Sequence, residues 1–318
     1  MDVLIIVFAV ILALLLVASI GSGIGMFCFA LKRPKIRPNP MTMENCKGHM
    51  LPFYDFIKAE KDWLFAKGYE KIETTSFDGL KLKGILVYAP EPSKKTVVAI
   101  HGYKNCGINE YCTYIRMYHE MGFNVLVPDD RAHGESEGTL IGFAWHDRRD
   151  CIGWVKYALN KFGEDSSVML HGISMGSATV MNASGESDLP EQVKAIVSDC
   201  GYSTAWKEFR HVLKRNFHLP SFPVLYVANV INIIFNKYNF NENSPVKQVT
   251  KAKVPFLFIH GGDDDFVPTE MVYEVHSACA SEIKELHVFD GAAHAESYYV
   301  CHDEYIEVLK AFVDKIDF

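Results

Sequence analysis

Residues 167–176 read SVMLHGISMG, and this stretch decides the fold. An apolar run from Val168 to Leu170 enters a Gly-x-Ser-x-Gly turn, and small residues follow at Ser177, Ala178 and Thr179. Gly172 and Gly176 flank Ser174. A serine hydroxyl is a poor nucleophile until a base removes its proton and a rigid turn holds it exposed. A sharp turn from strand to helix does the second job. Glycines give the crowded turn room, and the helix N-terminus behind it favours developing negative charge. At ordinary glycine and serine usage the bare pattern arises by chance in about one chain in ten of this length. The surrounding sequence therefore has to carry the reading.

Around it the chain alternates strand-like and helix-like segments from about residue 50. Strands are expected at 71–77, 82–89, 96–101, 124–127, 167–170, 194–198, 255–260 and 284–289. The first two flank Asp78-Gly79, a hairpin signal. The later ones are short, apolar and separated by helix-length segments, the pattern of a parallel sheet buried on both faces. Helices are expected at 111–121, 144–161, 177–184, 269–280 and 301–316. Between the sixth and seventh strands lies an insert, about 201–253, rich in aromatic and aliphatic residues such as Trp206, Phe209, Tyr226 and Phe235. Its length argues against a structureless loop, and it reads as a small helical cap.

Ser174 needs a base, an orienting acid and an oxyanion hole. Each has a candidate at the C-terminal end of a strand, where open α/β sheets bind ligands. The base is His294, in the small-residue loop DGAAHAES between the last strand and the last helix. The other histidines read as surface, helix or strand-end residues. The acid is Asp264 in HGGDDDFVP; Asp263 and Asp265 are its neighbours in the run, and Asp199 after the sixth strand is the outside alternative. Backbone N–H groups make the oxyanion hole. Met175 supplies one, and Tyr103, in HGYKN, is the natural second. The chain order Ser174, Asp264, His294 is that of the α/β hydrolases, unlike the chymotrypsin or subtilisin orders.

With these residues in place, the sequence resembles the α/β-hydrolase superfamily, in its serine aminopeptidase (S33) and prolyl-oligopeptidase-like branch. HGYKNCG, DDRAHGESEG, HGISMG, HGGDDDFVP and GAAHAES carry the resemblance across nearly all of residues 70–300. It is similar in particular to bacterial hydrolases with an N-terminal membrane segment. The resemblance implies a mostly parallel eight-stranded sheet with helices on both faces, a triad at Ser174, Asp264 and His294, and oxyanion donors at Tyr103 and Met175. Many relatives have glycine where this chain has Ser177, a residue still small enough to fit. Arg131, His133 and Ser136 match a loop that is structural in the family.

The N-terminus is unusual. From Val3 to Leu31 there is no charged residue. That run exceeds the roughly 20 residues needed to cross a bilayer. A cleaved signal peptide would need a basic start and a shorter apolar core; here Asp2 precedes the run and no Lys or Arg does. A buried core helix seldom runs this long. The expected organisation is a transmembrane anchor at 3–31, a linker at 32–49 and a hydrolase domain at 50–318. Gly21 and Gly25 form a GxxxG pair, though glycine is common in membrane helices anyway. Lys32, Arg33, Lys35 and Arg37 follow the helix, and the positive-inside rule places the main domain in the cytoplasm. The alternative is the opposite orientation, with the domain on the extracellular side.

Composition narrows the rest. The net charge is −7 with no basic stripe, which argues against a nucleic-acid binder. The eight cysteines are scattered without a CxxC pair, so neither a zinc framework nor a dense disulfide scaffold is expected. No metal or cofactor is expected. The reading is a serine hydrolase that cleaves an ester, thioester or amide through an acyl-enzyme, with carboxylesterase-like action on a hydrophobic acyl substrate. The rivals are a membrane-associated aminopeptidase, a lipid or protein deacylase at the bilayer surface, and a catalytically silent tethered binding protein.

Overall fold

The computed structural model describes residues 2–34, 43, 46 and 48–318. Eight strands form one sheet in the order β1-β2-β4-β3-β5-β6-β7-β8. β1 (Glu70–Thr75) and β2 (Lys81–Val87) make an antiparallel hairpin whose turn uses Gly79 at φ 91°. β2 also runs antiparallel to β4 (Asn124–Pro128). From there β3 (Lys95–Ile100), β4, β5 (Ser167–Ile173), β6 (Val193–Asp199), β7 (Phe256–Gly261) and β8 (Lys284–Phe289) are parallel neighbours. All eight expected strands are present. β5 runs three residues past its expected end, because His171, Gly172 and Ile173 keep pairing with Val197, Ser198 and Asp199. The strand therefore carries its ladder straight into the turn at Ser174.

Helices cover both faces. On one face α2 (Tyr54–Lys67), α3 (Gly107–Glu120) and α11 (His302–Val313) bury Ile57, Leu64, Tyr111, Tyr118 and Leu309 against the strands. On the other, α4 (Asp147–Phe162), α5 (Met175–Ser184) and α9 (Glu270–Ala278) bury Trp154, Val180 and Val275. α2 was not among the expected helices. Its apolar positions are spread through a charge-rich segment, YDFIKAEKDWLFAK, and its fixing contacts with α3 lie some fifty residues away. A short helix, α10 (Ser297–Val300), precedes α11.

The insert at 201–253 is helical, as its composition implied. α6 (Ala205–Phe217) starts at Thr204, whose side chain accepts the Lys207 N–H. α7 (Val224–Asn236) and the short α8 (Pro245–Gln248) follow. A third apolar cluster joins this cap to the end of the N-terminal helix α1 (Asp2–Leu31) through Met26, Phe27, Ala30, Leu31, Phe209 and Leu225.

α1 divides in two. Val3 to Ala18 are exposed throughout. From Ser19 on, the sheltered positions are 19, 22, 23, 26, 27, 30 and 31, the three-and-four spacing of one helix face. Gly23 packs on α7 so closely that a Cβ there would collide with Val227, whereas Gly21 and Gly25 face open space. The glycine used for helix contact is thus the one between the GxxxG pair. Most of the span expected as a linker lies outside the described residues, including Lys35 and Arg37. Its first residues dock on the domain: Lys32 bridges Leu140, and the Arg33 guanidinium donates to the carbonyls of Ser136 (2.7 Å) and Gly134 (2.9 Å).

Candidate active site

Ser174 sits between β5 and α5 with φ 56° and ψ −114°. A non-glycine residue in that region carries backbone strain of about 1–3 kcal/mol. The surroundings impose it. A Cβ at Gly172 would strike the Gly176 carbonyl, and one at Gly176 would strike the Ile100 carbonyl, so neither position accepts a side chain. The Ser174 N–H donates to Asp199 O at 2.8 Å, which locks the turn to β6. Ser177 is fully buried, and its Oγ bonds to Ser198 Oγ at 2.7 Å. The residue that departs from the family pattern therefore fits without loss of a polar partner.

Ser174 Oγ lies 2.8 Å from His294 Nε2, and His294 Nδ1 lies 2.7 Å from Asp264 Oδ2. The pattern matches the tautomer with its proton on Nδ1, donating to the carboxylate and leaving Nε2 to accept from the serine. Asp264 is 5% exposed. Its Oδ1 accepts the N–H groups of Phe266 (3.0 Å) and Val267 (2.9 Å), so the turn after β7 holds the carboxylate still. Burial pushes the Asp264 carboxyl up, but contacts with His260 and His294 outweigh it and hold the group well below its ordinary value. The group stays ionised. Asp263 and Asp265 are exposed, and Asp265 pairs with Arg215 at 2.8 Å.

Asp199, the outside alternative, does not reach His294. Its Oδ2 accepts from Tyr305 Oη at 2.9 Å beneath the sheet end, and burial raises its carboxyl to about 6. His260 was read as a strand-end residue that satisfies backbone. It does donate to Val267 O at 2.9 Å, but it also lies 3.2 Å from Asp264 Oδ2. That second contact had no signal in the sequence beyond the i, i+4 spacing of the pair.

The loop after β3 is held on three sides. Glu110 Oε2 accepts the Gly102 N–H, and His133 Nε2 accepts the Lys104 N–H at 3.1 Å. Between them the Tyr103 N–H has no acceptor among the described residues. Met175 opens α5, where an N–H has no partner within the helix. The two expected donors thus have their N–H groups uncommitted beside Ser174. The Tyr103 side chain supplies the third restraint: its Oη donates to Ala30 O at 2.7 Å, and Lys104 Nζ donates to Phe29 O at 2.7 Å. The last turn of α1 therefore grips this loop. Arg131 and Ser136 are structural, as expected. Arg131 pairs with Asp150 (2.7 Å) and Asp78 (2.9 Å), and Ser136 Oγ donates to Asp129 O at 2.6 Å.

Two cavities meet at Ser174. The larger, about 320 Å³, is lined by apolar residues such as Met50, Ile57, Tyr114 and Phe266, with Lys61, Asn105, Asn109 and Glu110 adding polar groups beside His294. The smaller, about 110 Å³, runs between the end of α1 and the cap. Its walls are mostly apolar, with Ser174, Tyr103, Tyr202, Asn216 and one carboxyl as the polar residues. Glu208 is 3% exposed, its Oε2 has no hydrogen-bond partner, and burial raises its pKa well above the usual value. Sequence reasoning missed Glu208, which looks like any charged residue near a helix N-terminus. No cluster of residues suited to a metal ion occurs among the described residues.

The chain is similar to several known proteins. A family model described as alpha/beta hydrolase fold matches residues 95–222, and one described as serine aminopeptidase, S33, matches residues 242–296. The uncharacterized protein YqkD of Bacillus subtilis is 28% identical over 273 residues, 83% of this chain and 87% of that one. The thiohydrolase aneE of Aspergillus aculeatus is 29% identical over 137 residues, 42% of each chain. Among solved structures, the Pyrococcus furiosus esterase Pf2001 superposes with a TM-score of 0.67 at 23% identity, over 90% of this chain and 98% of that one. The acylaminoacyl peptidase of Pyrococcus horikoshii gives 0.58 at 18% identity, over 80% of this chain and 42% of its own. These structural likenesses are likenesses of fold.

Proposed function

We propose that the chain is a serine hydrolase of the α/β-hydrolase superfamily, acting through Ser174, His294 and Asp264. The observation that carries this reading is the unbroken relay from Ser174 Oγ through His294 to Asp264, set beside two uncommitted N–H groups. In the first half-reaction Ser174 Oγ bonds to the carbonyl carbon of an ester, thioester or amide while His294 Nε2 takes the hydroxyl proton. The N–H groups of Tyr103 and Met175 hold the oxyanion. His294 then gives that proton to the leaving group as the carbon–heteroatom bond breaks. Water, deprotonated by His294, releases the acyl group and restores Ser174. Asp264 fixes the imidazole and stabilises its charged form; it stays ionised throughout.

The substrate favoured is a hydrophobic acyl ester. The apolar cavity supports this, as does the esterase and thiohydrolase character named for two of the similar proteins. Glu208 supports a second reading, a peptidase: a substrate amine would give its unpaired Oε2 a partner. α1 is long and apolar enough to span a membrane, with its basic flank and the hydrolase domain on the cytoplasmic side.

The test is labelling with a fluorophosphonate serine probe. Wild type is expected to label and Ser174→Ala not at all. Asp264→Asn should slow labelling by on the order of 10³–10⁴, as loss of the orienting acid does in other triads; Asp199→Asn should cost far less. A well-folded wild type that takes no label would leave the silent binding protein as the better reading.

A further inference from the structure

The small cavity has an unusual wall. Met26, Phe29 and Ala30, from the last turns of the apolar N-terminal helix, face Phe143, Phe209 and Val212 across it, and Ser174 and Met175 lie at its inner end. A helix that served only as an anchor would not be part of the site. Here it is buried into the site along one face, and its final carbonyls hold Tyr103 and Lys104.

The surface around this wall is apolar as well. α7 lies beside α1, with Val227 against Gly23 and the ring of Phe235 6.3 Å from that of Phe27. Its outer residues Tyr226, Val230, Ile233 and Ile234 are exposed, as are Phe217, Leu219 and Phe222 just before it. This skirt adjoins α1, whose residues 3–18 are exposed throughout. Met26 to Ala30 lie six to ten residues beyond Ile20, roughly 9–15 Å along the helix. The cavity therefore stands one short step above the level at which the free part of α1 begins.

We propose that the end of α1 is one wall of the acyl-binding site, and that the acyl chain of a membrane-resident lipid ester lies between α1 and the cap, drawn from the bilayer that α1 crosses. This rests on the serine-hydrolase reading and names its substrate class. The two cavities divide the substrate at Ser174. The chain takes the apolar cavity beside α1, where burial of each methylene removes apolar surface from water. The polar leaving group takes the larger cavity with Lys61, Asn109 and Glu110. The cap skirt rests on the lipid surface, so the chain can pass from bilayer to cavity without crossing water.

The experiment uses the full chain in phosphatidylcholine vesicles and the nitrophenyl esters of acetate and dodecanoate. The readout is the ratio of their kcat/KM values. Ala30→Trp fills the cavity from α1 and should lower the dodecanoate-to-acetate ratio at least tenfold. Met26→Ala widens it and should raise the ratio. Thermal melting of each variant reports folding, and if Ala30→Trp does not fold, Met26→Ala decides. Ratios that stay at the wild-type value in a folded variant overturn the proposal while leaving the serine hydrolase intact. A wild type that neither hydrolyses acetate nor labels with fluorophosphonate overturns the underlying reading, and this one with it.

Discussion

At the scale of single residues, Glu208 is the group whose behaviour departs most from its type. A carboxyl with an unpartnered oxygen in an apolar wall is held in its neutral form, because ionising it there means giving up water for nothing. Its folded pKa lies above the unfolded value of about 4.3. The folded state therefore binds this proton more tightly, and stability is fully present below the unfolded pKa and lost as pH rises through the folded one. Glu208→Gln keeps the shape and removes the titration. The melting temperature of the variant should gain on wild type as pH rises above the unfolded pKa, until the folded carboxyl also ionises; a constant gap would mean that the carboxyl has found a partner. The residue scale is also where the sequence was most legible. Ser174, His294 and Asp264 each announce themselves by type, spacing and place after a strand, and the fold brings them within hydrogen-bond reach. The choice of Asp264 over Asp263, Asp265 and Asp199 needed coordinates, since three adjacent aspartates differ only in which one the turn after β7 points inward.

Among elements, the loop after β3 shows how a short segment is set from outside itself. Its N–H groups on either side of Tyr103 are taken by Glu110 and His133, and its tyrosine is tied to the last carbonyl-bearing turn of α1. Tyr103→Phe leaves the backbone N–H in place and cuts only the tie. One such hydrogen bond contributes about 1 kcal/mol. Felt wholly in the transition state, that is about fivefold in kcat, with KM for a short ester little changed. Stopped-flow acylation of wild type and variant measures it, and an unaltered kcat would show that the loop stands without the tyrosine's tie to α1. The strands were legible because β3 to β7 are nearly unbroken apolar runs between turn residues. α2 was not, because the half of its pattern that matters is supplied by α3. The packing face of α1 was invisible for the opposite reason. A helix apolar on every side gives no contrast between faces, so nothing in its sequence marks Gly23, Met26 and Ala30 as the side that meets the domain.

For the molecule as a whole, the sequence announces an apolar segment followed by a hydrolase and leaves their joint unread. The exposed run Val3 to Ala18 is roughly 24 Å long at helical rise, some four-fifths of the roughly 30 Å hydrocarbon core of a bilayer, so a full span has to include residues of the docked half. Orientation is a question for intact cells. A cysteine placed at the exposed Glu91, in a chain whose native Cys28 and Cys46 are replaced by serine, should react with an impermeant maleimide only after the cells are opened. Reaction before opening would put the domain outside. Either way, the joint is rigid: Arg33 clasps the 134–138 loop, Lys32 bridges Leu140, and α7 lies along α1. On the proposed reading of α1 as a membrane span, a hydrolase domain bolted to it cannot sample the solution around it as one on a tether would; it patrols a sheet. The concentration it responds to is the mole fraction of substrate among its lipid neighbours, so adding inert lipid should slow it even when the bulk amount of substrate is held constant.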